Sequence, residues 1–93
     1  MNSIWKLQNG NTITECTSFP YAYRTAWNMV RKAIDEKQDP GPLIRGLKIV
    51  SPQKDRGGDN KIYSYTEATV MAKSMGLITP EGNINGKEFK RRR

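Results

Sequence analysis

The chain has 93 residues, 35% of them hydrophobic and 27% charged, with a formal net charge of +7, one cysteine and no histidine. That length holds one domain around one core, and the polar but aromatic composition excludes full disorder, while the absence of a long apolar run excludes a membrane-spanning helix. Without histidine the commonest general base and metal ligand is missing, and a lone cysteine builds no internal disulfide framework.

Residues 4–17 read as a β-hairpin. Asn9-Gly10 sits between two β-prone runs, and both residue types accept positive φ. A three-residue loop over residues 9–11 pairs Leu7 with Ile13 and Ile4 with Cys16, and keeps apolar partners together. A two-residue loop over Asn9-Gly10 pairs Lys6 with Ile13 instead, and is disfavoured for that reason.

A long amphipathic helix follows over residues 19–37. Phe19, Ala22, Tyr23, Ala26, Val30, Ala33 and Ile34 recur at spacings of three and four, which makes one apolar stripe. Ser18 is the expected N-cap, and Pro20 is tolerated in the first turn. Trp27, Val30 and Ile34 are expected inside, against Ile49 and either Leu7 or Ile13. Arg24, Arg31 and Lys32 fall on the polar side. Asp39-Pro-Gly-Pro42 stops the helix, since proline disfavours helical geometry in the residue before it.

Residues 42–45 suit one further helical turn, and residues 46–51 a third strand with Leu47 and Ile49 on one face. Residues 52–60 contain no large apolar side chain other than Pro52 and hold two adjacent glycines, the composition of a mobile basic loop. Residues 61–65 form the expected fourth strand, with Tyr63 and Tyr65 on one face. A second helix is predicted at about residues 65–75, opened by a capping box of Ser64 and Glu67 and closed by Gly76. Residues 77–84 then make a tight strand–turn–strand with Gly82 at positive φ. The sum is an α+β domain over residues 1–89 with a basic tail at residues 90–93.

Catalysis finds no foothold in this pattern. Cys16 has no histidine to activate it, and no pair of carboxylates is set among apolar residues that would raise a pKa. Gly82 to Lys87 has the wrong glycine spacing for a phosphate loop, and Glu88 replaces the required hydroxyl residue. Residues 55–60 lack the alternating oxygen ligands and closing glutamate of a calcium loop. The expectation is a non-enzyme with no cofactor and no metal.

Charge is the remaining signal. Lys90, Arg91, Arg92 and Arg93 supply four positive charges, so residues 1–89 carry only +3. Arg45, Lys48, Lys54, Arg56 and Lys61 bracket the glycine loop, and Arg24, Arg31 and Lys32 add a helix face. The expected function is non-catalytic nucleic-acid binding or regulation, through Arg24, Arg31, Lys32, Lys54, Arg56, Lys61 and the tail. Tyr63 and Tyr65 sit at the spacing of a base-stacking platform, with core packing the commoner fate of such rings. The competing reading is a protein-interaction module, an adaptor or inhibitor of the kind phages and mobile elements carry, docking on an acidic surface. The N-terminus lacks the charged and apolar blocks of a signal peptide, so a reducing, cytoplasmic setting is expected.

Overall fold

A computed structural model of the chain describes residues 4–85. It is a four-stranded antiparallel sheet with helices on one face. In chain order the elements are β1 (Trp5–Asn9), β2 (Thr12–Cys16), α1 (Phe19–Asp35), α2 (Gly41–Gly46), β3 (Leu47–Lys54), β4 (Asn60–Ser64) and α3 (Tyr65–Ser74). The sheet order is β2-β1-β3-β4, so each hairpin is local and the two meet at a β1–β3 seam. The α+β expectation and its element order hold.

Side chains alternate across the pleat, and this alternation builds the core. Leu7 lies opposite Ile49, and Ile49 opposite Tyr63, in one row facing the helices. Leu7, Leu47 and Ile49 are fully buried, and Ala22, Tyr23, Ala26 and Val30 of α1 and Ala68 and Ala72 of α3 close over them. Small alanines on both helices let their backbones come close to the sheet. Trp5, Phe19, Tyr23 and Tyr65 form a continuous aromatic line through this layer, with Trp5 and Phe19 centroids 5.4 Å apart and tilted by 60°.

Four details differ from the sequence reading. The first hairpin pairs Leu7 with Thr14, Gln8 with Ile13 and Trp5 with Cys16 around a two-residue loop of Gly10 and Asn11. Gly10 takes φ +62° as the first loop residue, where a type II′ loop places glycine. This register turns Ile13 outward, leaving it 58% exposed, and the hairpin's contributions to the core are Leu7, Cys16 and the half-buried Trp5. The helix stripe also stops one residue short. Val30 and Ala33 are buried and Trp27 is half-buried, but Ile34, about 100° further round the helix than Ala33, is 46% exposed. Ser18 has the extended backbone of an N-cap without a side-chain cap bond.

The third strand runs on through Pro52 to Lys54, so the loop is shorter than its composition suggests. Proline has no N–H to give a ladder. Pro52 fits here because β1 pairing ends at Val50 and the β3–β4 register shifts between Val50 and Lys54. The buried Ser51 hydroxyl accepts the Gln53 amide at 3.0 Å within that irregular stretch.

Both helix stops are Schellman motifs. After α1, the Gln38 amide bonds the Ala33 carbonyl and the Lys37 amide the Ile34 carbonyl, with Lys37 at φ +61°. After α3, Leu77 bonds Ala72 and Gly76 bonds Lys73, with Gly76 at φ +77°. The capping box of α3 is complete: Glu67 accepts the Ser64 amide at 2.9 Å, and Ser64 accepts the Glu67 amide at 3.1 Å. Beyond α3, Ile78 bridges Ile84 around a turn with Gly82 at φ +92°, as the strand–turn–strand pattern requires.

Candidate nucleic-acid interface

Lys54, Arg56 and Lys61 come together on one hairpin. Lys54 ends β3 opposite Asn60, Lys61 follows in β4, and all three side chains are exposed. Asp55 shapes the turn between them. Its carboxylate Oδ1 accepts the amides of Gly57 at 2.9 Å and Asp59 at 3.1 Å, and its own amide donates to the Asp59 carbonyl at 2.7 Å. This is an aspartate turn, in which a short carboxylate satisfies amides that would otherwise need water. The Asp55 charge is partly spent inside the loop, and the cations project from a braced tip.

The helix cations do not act as one group. Arg24 and Lys32 are exposed on α1, on the helical layer rather than on the hairpin. Arg31 is half-buried. Its guanidinium lies 5.2 Å from the Trp27 ring centroid and donates to Asn83 Oδ1 at 3.1 Å, while the Trp27 indole donates to the Gly82 carbonyl at 2.9 Å. Arg31 therefore ties the C-terminal turn to α1, a structural task that competes with phosphate. Arg45 sits in α2, and Lys48 lies beside β1 on the sheet, so neither belongs to the loop they were expected to bracket. Lys90, Arg91, Arg92 and Arg93 lie outside the described residues.

The two tyrosines do not share a strand face. β4 ends at Ser64, and Tyr65 is the first residue of α3, its ring stacked on Tyr23. Tyr63 stands on the helix-side face opposite Ile49. The helix-free face carries neither ring, so the stacking platform is absent there.

Sequence reasoning missed that open face as a surface. Lys6 alternates with the buried Leu7, and Lys48 and Val50 alternate with the buried Leu47, Ile49 and Ser51. Lys6 is paired with Val50, Gln8 with Lys48, Val50 with Ile62, and Ile62 is 56% exposed. The period-two pattern was legible in β3; the missing knowledge was that all three helices pack on the other side.

The groups available for chemistry are sparse. Burial pushes the Cys16 thiol above its ordinary value, with a bond from Thr25 partly opposing, so it stays protonated near neutrality. An open groove beside the end of α3 is lined by Lys73, Gly76, Ile78, Thr79, Pro80 and Asn85, and so holds one cation and no carboxylate. No helix among the described residues is long and apolar enough to cross a membrane. No protein-family model, curated protein or solved structure matches the chain.

Proposed function

We propose that this is a non-catalytic nucleic-acid-binding protein of a regulatory kind, holding phosphates through the β3–β4 hairpin and the four cations at residues 90–93. The observation that carries the reading is the braced tip. Asp55 fixes the backbone from which Lys54, Arg56 and Lys61 project, so little ordering entropy opposes their engagement with a phosphate backbone. Arg24 and Lys32 on α1 add contacts of the same kind, and Arg31 is held back by Trp27 and Asn83. With Tyr65 inside and Tyr63 on the helix side, the binding is electrostatic, reads backbone rather than base, and needs no stacking platform. A protonated Cys16 and the lack of histidine suit a protein that does no chemistry. The single free cysteine fits a reducing, cytoplasmic setting.

The test is a fluorescence-anisotropy titration of the intact protein, and of a variant lacking residues 90–93, on duplex and single-stranded oligonucleotides at several salt concentrations. With about four to six phosphate contacts, log affinity for duplex falls against log salt with a slope of about −4 to −5, and deletion flattens it by several units. No binding to any oligonucleotide at low salt rules the reading out.

A further inference from the structure

The open sheet face carries an apolar patch with a cationic border. Val50 and Ile62 are cross-strand partners on it. The β1–β3 ladder ends at Lys6 and Val50; two residues further along each chain, on the same face of the pleat, come Ile4 and Pro52. Ile4 is 41% exposed and Ile62 56%. Lys6 lies directly opposite Val50, and Lys48 two residues before it on β3. Among the described residues of the sheet one acid faces this way, Glu15, the cross-strand partner of Lys6 on β2, so Lys48 is the cation of this border with no acid opposite it on β1 or β4.

We infer that this face docks an acidic protein segment, one presenting an apolar stripe flanked by Asp or Glu. Aliphatic side chains in the open, bordered by charge, mark protein contacts rather than phosphate contacts, because the patch offers nucleic acid neither a cation at its centre nor an aromatic ring. A second copy of the chain is a poorer occupant: it brings two more lysines, Lys6 and Lys48, to the contact and only Glu15 of opposite charge from this face. An acidic segment meets both features, burying Ile4, Val50, Pro52 and Ile62 while its carboxylates find Lys6 and Lys48. This surface adjoins the β3–β4 tip, since Ile62 follows Lys61 and Pro52 lies two residues before Lys54, but its border cations Lys6 and Lys48 are not among the tip's, so the inference is tested at Lys6 and Lys48 and gives the protein the form of an adaptor.

The experiment uses the full chain, isotope-labelled, titrated with a 20-residue amphipathic peptide carrying leucine at helical spacing and glutamate on its flanks. The same peptide with lysine in place of glutamate is the control. The acidic peptide is expected to shift the amides of Lys6, Lys48, Val50 and Ile62 and to bind at least about tenfold tighter than the basic one. Ile62→Glu and, separately, Lys48→Glu are each expected to weaken it by about tenfold or more while circular dichroism stays native. Both positions are exposed, so neither substitution disturbs the core. Equal affinity for the two peptides overturns the inference, as do shifts confined to another surface. A duplex oligonucleotide that shifts the amides of Lys6 and Lys48 as strongly as the acidic peptide does, or dimerisation in sedimentation that protects them, overturns it in favour of the other occupant.

Discussion

The ring of Tyr65, the first residue of α3, stacks on the ring of Tyr23 in α1, with centroids 5.6 Å apart and planes 12° from parallel. The Tyr23 hydroxyl reaches on to Thr69 Oγ1 at 3.1 Å, and Thr69 donates to the Tyr65 carbonyl at 2.9 Å. The contact locks the two longer helices at the end of β4, and through Tyr65 it makes the fold sensitive to alkali. Burial pushes the Tyr65 phenol far above the ordinary tyrosine value, with Tyr23 adding to the rise and Thr69 and Arg31 opposing it. A folded-state pKa above the unfolded one means the folded protein holds the proton more tightly. Its stabilising effect is complete below the unfolded value of about 10 and is lost as pH climbs beyond it. Melting temperature should therefore fall more steeply above about pH 10 in the native protein than in Tyr65→Phe. Parallel curves for the two proteins would show that Tyr65 does not carry the effect.

Val30 and Ile34 contrast the centre of the buried stripe with its exposed margin. Val30→Ala removes two methyls from a site only 7% exposed and should cost roughly 1 to 3 kcal/mol. Ile34→Ala, at a site nearly half open, should cost under about 1 kcal/mol. Chemical denaturation of both variants, with unchanged m-values, measures the contrast.

The two helix stops predict opposite signs. Lys37 holds a left-handed backbone at φ +61° without being glycine, so Lys37→Gly should stabilise by about 0.5 to 1 kcal/mol. Gly76→Ala forces a Cβ into the same region at φ +77° and should destabilise by about 1 kcal/mol. No heavy atom lies within 4 Å of a Cβ built there, so the loss is conformational rather than a clash. Thermal unfolding of the two variants reads both signs.

The cations divide by role. Arg56→Ala should reduce the salt slope of duplex binding by about 1 and leave the melting temperature unchanged. Arg31→Ala should lower the melting temperature and leave that slope nearly unchanged, because it frees Trp27 and Asn83. Asp55→Ala keeps every cation but removes the brace, so Gly57 and Asp59 amides should exchange faster and duplex affinity should drop at all salt concentrations. An Asp55→Ala protein with native exchange rates would mean that backbone bonds alone hold the turn.

Much of the fold was written in local signals. The capping box at Ser64 and Glu67, the stripe from Phe19 to Ala33 and the glycine after α3 each act within a few residues, and each appears where its pattern lies. The errors come from long-range cover. Ile13 was assigned inward because it is apolar, but β2 is an edge strand of which only Cys16 is buried. Tyr65 was assigned to a strand because its spacing from Tyr63 is two, and the cap at Ser64 overrode that spacing. Of the candidate interface, the hairpin cations were legible as composition. The anchoring of Arg31 was not, since its partner Asn83 is 52 positions away. The open sheet face depends wholly on which side the helices choose.

The seam between β1 and β3 also sets the order in which the chain assembles. Each hairpin closes a short loop, which takes microseconds, and both helices carry their own start and stop signals. Joining Asn9 to Leu47 instead closes a loop that contains β2, α1 and α2, and its entropy must be lost before any β1–β3 hydrogen bond repays it. Shortening Leu7 or Ile49, which meet across that seam, should therefore slow folding, whereas changes at the helix stops and the Tyr23–Tyr65 stack should mainly speed unfolding, a contrast that stopped-flow folding and unfolding rates read directly.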